Sequence, residues 1–260
     1  SILASQHAHL AMDECGAPEK FLGSKVISIP SIDAKLTPEM IKPHLIRRGD
    51  QHASQPRVLS ITQPTELGTV YSLKELSALS TFCKTEKLVL HIDGARLVNA
   101  VAALGCSISA AVEGADVVSL GGTKNGLVFG EAVIFLNSKV SPDFRYLRKQ
   151  AMQLPSKSRF IAAQFLEFLG TDLWLDNALR ANRLASRLAT GLATCKSVAI
   201  TQKVQANACF VKIPREHVAR LRDHSFFYVW DEHTFECRLM TSWDTTEEDV
   251  DRFVAEVARL

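Results

Sequence analysis

The run Leu88–Asp93 (LVLHID) limits the possible folds more than any other stretch of the chain. Its residues do not alternate as in a strand with one wet face. Both faces must therefore be covered, which is the situation of a strand inside a parallel sheet flanked by helices. Lys25–Ile29 and Arg57–Thr62 are shorter runs of similar kind. Between Thr62 and Leu88, Ser72 and Glu75 make a capping box, and Leu73, Leu76, Leu79 and Phe82 recur at near-helical spacing. A strand, a helix and a further strand in that order imply a right-handed parallel crossover. Downstream come a short helix through Val101, a strand over residues 115–120, the turn Gly121-Gly122-Thr123, Lys124, and another strand at Glu131–Leu136. The expected class is α/β with an open, mostly parallel sheet.

The pattern then changes. Phe144–Leu169 and Trp174–Ala193 carry long helical periodicities, with Phe160, Phe165, Phe168, Leu184, Leu188 and Leu192 at apolar positions. From Val198 the order reads strand, strand, helix, strand, strand and a closing helix capped by Thr245 with Glu248, a smaller α+β arrangement. A division near residue 140 is expected, with 1–140 as the larger unit and 141–260 as linking helices plus the small unit. Apolar residues at 47%, charged residues at 22% and a formal charge of +2 fit an ordinary globular protein and provide no clustered positive field for nucleic acid. Arg145, Arg148 and Lys149 read as a solvated helix face. The six cysteines show no CxxC pair and read as reduced core thiols, which places the chain in the cytosol. Leu97–Val112 is too short and too interrupted to span a bilayer.

In open parallel sheets, ligands lie beyond the carboxyl ends of the strands. Two polar residues end buried runs here: Asp93, followed by Gly94, Ala95 and Arg96, and Lys124, after the Gly-Gly turn. A buried ion pair would account for them. So would pyridoxal phosphate, whose aldehyde forms an imine with a lysine amine and whose pyridine nitrogen is kept protonated by a carboxylate. Spacing alone leaves both readings open.

The flanking residues narrow the choice. HIDGARLVNA at 91–100 and GGTKNGLVFGEAVIF at 121–135 resemble the aspartate and lysine motifs of threonine aldolases. The resemblance continues in order through HLAMDECGAPE (9–19), ITQPTELGTVY (61–71), KSRFIAAQ (157–164) and RLMTSWDTT (238–246). It implies a fold-type-I pyridoxal-phosphate enzyme with a three-layer large domain and a smaller α+β C-terminal domain. It further implies that Lys124 is the Schiff-base lysine, Asp93 the partner of the pyridinium nitrogen, and Arg96 and Arg238 the grip on the substrate carboxylate. His9 would stack over the cofactor ring and serve as base, and Thr123 and Thr62 would donate to the phosphate and the ring oxygen. His7 and His9 form an HxH pair without further ligands at useful spacing, so no metal is expected.

Many members of the family have Thr-His where this chain has Thr62-Gln63, so a second histidine base is not expected there. The resemblance also places Ser1 about one strand and one helix into the family's usual length, after the glycine-rich turn that cradles the phosphate, so that the chain reads as lacking its N-terminal segment. The implied reaction is aldol cleavage of a β-hydroxy-α-amino acid, threonine or allo-threonine, to glycine and an aldehyde. The implied assembly is a homodimer or homotetramer with sites at its interfaces. Two alternatives stand beside it: another fold-type-I enzyme, a β-eliminating lyase or an aminotransferase, or a truncated, catalytically silent subunit.

Overall fold

The computed structural model describes all 260 residues. The apolar run forms β4 (Val89–Gly94), which lies in a six-stranded sheet with β1 (Ile2–Ser5), β2 (Val26–Ile29), β3 (Val58–Thr62), β5 (Val117–Gly121) and β6 (Glu131–Phe135). The order is β2-β1-β3-β4-β5-β6. All neighbours run parallel except β6, which pairs antiparallel with β5. Leu90 and Ile92 are fully buried, whereas Val89, His91 and Asp93 on the other face are only partly covered. The expectation of two fully covered faces therefore holds for one face only, and the other carries the polar His91. Its ring spans the sheet between Ser60 Oγ (2.9 Å) and Ser119 Oγ (3.0 Å).

The first helices are α1 (His9–Met12), α2 (Ala17–Leu22), α3 (Pro38–Ile41), α4 (Leu73–Thr85), α5 (Leu97–Leu104) and α6 (Ile108–Ala111). In α4 the Ser72–Glu75 capping box forms in both directions, and Leu76, Leu79 and Cys83 enter the core beneath Leu59, Leu90 and Val118. The helical stretch expected over 144–169 is divided into α7 (Phe144–Gln150) and α8 (Arg159–Gly170). Met152 at φ 59°, followed by Pro155, cannot continue a helix, and the chain turns there.

The third long helix, α9 (Leu173–Leu192), buries Ala178, Ala181, Leu184, Ala185, Leu188 and Leu192 along one stripe. It packs on α5 and also on a second sheet, formed by β7 (Ala199–Ile200), β8 (Ala208–Lys212), β9 (Tyr228–Asp231) and β10 (Glu236–Met240) in the order β7-β8-β10-β9. This sheet is antiparallel throughout. With α10 (Arg215–His224) and α11 (Glu247–Val257) it encloses a separate core that includes Val211, Leu221, Phe253 and Val257. The strand and helix order expected after Val198 is thus present.

The cap of α11 lies one residue later than expected. Thr246 and Asp249 form the reciprocal box, and Thr245 Oγ1 instead accepts from the Ser242 amide at 2.8 Å. Two overlapping T-x-x-[DE] patterns compete in this segment, and the one that turns Val250, Phe253 and Val257 into the core is used. All six cysteines are unpaired. Cys83, Cys195, Cys209 and Cys237 are core residues, but Cys15 is exposed and Cys106 half-buried, which corrects the expectation for those two. No helix is long and apolar enough to cross a membrane. Replacing Thr246 with Ala should lower stability by about 0.5–2 kcal/mol, read as a lower urea midpoint at unchanged slope.

Candidate active site

Because β1 lies between β2 and β3, the chain leaves its carboxyl end on one side and later returns on the other. The order of the strands reverses there and leaves a crevice. His7 and His9 follow β1, Thr62 ends β3, Asp93 lies near the end of β4, and Lys124 occupies a 3-10 turn (Thr123–Asn125) after β5. The register sets Thr62 against Asp93 and Asp93 against Ser119.

The lysine turn comes so close to the turn after β4 that only glycine fits between them. A Cβ on Gly121 would stand 2.2 Å from the carbonyl oxygen of Ala95, and one on Gly94 would stand 2.8 Å from that of Ser119. Both glycines belong to the motifs picked out in the sequence. The Asn125 side chain donates to the Gly121 carbonyl (2.9 Å), and Asn177 on α9 donates to the Asn125 carbonyl (2.9 Å). The backbone on both sides of Lys124 is thereby fixed.

A cavity of about 610 Å³ opens above this turn, lined by His7, His9, Arg96, Lys124, Trp230 and Arg238 among others. Three cations meet in it, and none has a carboxylate within ion-pairing distance. Lys124 is open to the cavity, yet enough protein surrounds its amine to lower the pKa by desolvation. Arg96 pushes the same way, while Asp93 and Glu131 oppose. Burial, then Arg238, lowers Arg96 to about 10, so it remains charged at neutral pH. Arg238 is also lowered by burial. Its guanidinium lies 4.5 Å from the Trp230 ring and 5.7 Å from that of Tyr228, and its Nε is buried without a partner. Aromatic faces support this cation without neutralising it.

Lys124, Arg96, Arg238 and His9 therefore share one cavity, with Asp93 close enough to act on Lys124 and Arg96. Asp93 and Thr62 do not line it. Asp93 Oδ1 accepts from the Ala95 amide (3.0 Å), and the Thr62 hydroxyl donates to Glu66 Oε1 (2.7 Å). Thr123 is exposed outside the cavity, its hydroxyl exchanging bonds with the Gly130 backbone. His9 Nδ1 lies 2.8 Å from Glu14 Oε1, while His7 Nε2 lies 3.2 Å from the Ser31 carbonyl, so the two histidines have different partners. Tyr228, Trp230 and Glu66 were not anticipated. The alternation in YVWD puts the two aromatics on one face of β9, but only the register that pairs Tyr228 with Arg238 reveals their role.

The Beta-eliminating lyase family model matches residues 1–215. The chain is 44% identical to a low specificity L-threonine aldolase of Pseudomonas aeruginosa, over all of this chain and 75% of that protein. It is 42% identical to the one from Pseudomonas sp. (strain NCIMB 10558), over 99% of this chain and 75% of that protein. The chain belongs to the beta-eliminating lyase family. Threonine aldolase from Leishmania major superposes with a TM-score of 0.93 at 31% identity, covering all of this chain and 77% of that one. The six-stranded sheet and its antiparallel edge are thus the fold-type-I arrangement of this family. A Gly121→Ala change should lower stability by about 1–3 kcal/mol, because the Ala95 carbonyl must give way; chemical denaturation would measure it.

Proposed function

We propose that the chain cleaves a β-hydroxy-α-amino acid, threonine or allo-threonine, to glycine and an aldehyde, with pyridoxal phosphate carried by Lys124. The observation that carries this reading is the meeting of three cations without internal counter-ions, one with an orphaned Nε, around a lysine whose amine is held below its usual pKa. Such a donor set fits a ligand that brings carboxylate, phosphate and an aldehyde. Lys124 would hold the cofactor through its amine, Asp93 would serve the pyridine nitrogen, and Thr62 and Thr123 would serve the ring oxygen and the phosphate. For Thr123 to do so, its hydroxyl must leave Gly130, and while Thr62 donates its one proton to Glu66 it can meet the ring oxygen only as an acceptor. The bound cofactor supplies an electron sink for the pair released at Cα.

The protein's own share is orientation and proton transfer. Arg96 and Arg238 grip the substrate carboxylate, a task suited to the planar guanidinium. Holding that group fixes which bond at Cα is presented for cleavage. The β-hydroxyl must lose its proton as Cα–Cβ breaks, and His9 takes it. The Glu14 carboxylate can only accept, so Nδ1 bears the hydrogen of that bond and Nε2 keeps its lone pair for the substrate. Glu14 then stabilises the imidazolium. The proton taken from the β-hydroxyl balances the one that Cα gains as glycine forms, and threonine yields acetaldehyde as the other product.

A homodimer or homotetramer with sites completed between copies agrees with the exposed Phe160, Leu166, Leu169 and Leu173 on α8 and α9. Residues 1–140 would form the cofactor-binding unit and 141–260 the closing one, in a cytosolic protein. Incubation with cofactor and threonine should release glycine; α-keto acid and ammonia in its place would overturn the reading. Lys124→Ala should abolish the visible absorbance of the bound cofactor. Arg238→Ala should raise KM roughly 10–150-fold, the equivalent of a lost charged hydrogen bond of about 1.5–3 kcal/mol.

A further inference from the structure

The TQPTE segment contains a carboxylate to which the reading above gives no task. Glu66 is the fourth residue beyond the end of β3, at the point where the strand order reverses. One oxygen, Oε1, accepts both from the backbone amide of His9 (2.8 Å) and from the hydroxyl of Thr62 (2.7 Å). The other, Oε2, is buried with no partner. A carboxylate so placed does little for packing, and leaving one oxygen unsatisfied costs stability. It joins the start of α1, which carries the candidate base, to the end of β3, which carries a candidate cofactor contact.

We propose that Glu66 is a positioning residue for this site: it fixes His9 through its backbone amide and Thr62 through its hydroxyl, and it does so as the ionised carboxylate. The inference rests on the aldolase reading for the roles of His9 and Thr62. The hydrogen-bond inventory supports it. An ionised carboxylate accepts from both donors at once, whereas a proton on Oε1 would compete with the Thr62 hydroxyl and a proton on Oε2 would be a buried donor with no acceptor in reach. Burial raises the Glu66 pKa above the ordinary 4.5, with Asp93 adding to the rise while the Thr62 and His9 donors hold it back. Arg96 and Arg238 in the cavity and the buried hydroxyl of Tyr71 also feel its charge. Positioning is therefore lost as pH falls, beginning at a pH above the usual carboxylate range.

Glu66→Gln and Glu66→Ala, each loaded with pyridoxal phosphate, test the proposal. The alanine variant should lose kcat for threonine cleavage on the order of tenfold to a hundredfold, the cost of a displaced catalytic group, with a much smaller change in KM because the arginines remain. The glutamine variant keeps an accepting oxygen and should recover most of that loss, but without the ionisation. Its acid-side log kcat should then fall less steeply than that of the wild type, since the Glu66 ionisation is gone. The cofactor's absorbance, titrated with acid without substrate, should likewise lose one transition in the glutamine variant. Wild-type kcat in Glu66→Ala, or a wild-type pH profile in Glu66→Gln, would overturn the proposal. If the wild-type protein releases no glycine from threonine, the aldolase reading fails on its own. The absorbance titration then decides about Glu66, and identical curves for wild type and Glu66→Gln count against it.

Discussion

The helix α9 sets the distance between the two halves of the candidate site. Lys124 follows β5 of the six-stranded sheet and Arg238 lies in β10 of the antiparallel one, and each half has its own core. Both refer to the same helix. Asn177 holds the carbonyl of Asn125, next to the lysine, and the Ala181 carbonyl, one turn on, accepts the buried hydroxyl of Thr241, three residues beyond Arg238 (2.7 Å). Asn182 and Asn99 exchange a further pair of bonds between α9 and α5. Each such bond contributes only about 0.5–1.5 kcal/mol. Their value lies in direction, because sliding α9 by one residue would break every one of them together. The Arg183–Glu247 and Arg187–Asp251 pairs between α9 and α11 are exposed and contribute little by comparison.

Bringing Lys124, Arg96 and Arg238 into one cavity is unfavourable in the free protein. The lowered pKa values record that burial acts against the charged forms of all three, with repulsion from neighbouring arginines adding to it at Arg96 and Lys124. Asp93 and Glu66 offset part of this from positions around the cavity, without closing an ion pair that a ligand would have to break. Trp230 and Tyr228 support Arg238 in the same way. The consequence is a site whose charges are already aimed, so that the reorganisation water would require has been met in folding.

Much of this was legible in the residues. The LVLHID run announced a strand of the sheet, although only its Leu90–Ile92 face is fully covered, the Ser72–Glu75 box marked the start of α4, and the glycines beside Asp93 and Lys124 marked the place where two turns touch. Local rules sufficed because the signals were local. The cap of α11 was misplaced by one residue since Thr245–Glu248 and Thr246–Asp249 satisfy the same rule, and only packing of Val250 and Phe253 separates them. Apolar periodicity survives across the turn at Met152, so residues 144–169 read as one helix where the structure has two. Trp230, Tyr228 and Glu66 could not be found at all from spacing. Their relevance depends on a cross-strand register and on the approach of β1 to β3, which are tertiary facts.

The stacking of Arg238 also bears on which amines the cavity would refuse. A guanidinium held by two aromatic rings with its Nε buried and unpartnered has no internal acceptor to return to, so a ligand that fills the cavity without offering it oxygens leaves it unanswered. On the proposed reading, an amino alcohol could reach Lys124 as readily as threonine does, yet it would bear that penalty, commonly about 1–3 kcal/mol or more for a buried charged donor. On that reading the aromatic cradle would act as a filter for the acid group itself, rejecting decarboxylated analogues before any bond to Cα is at stake.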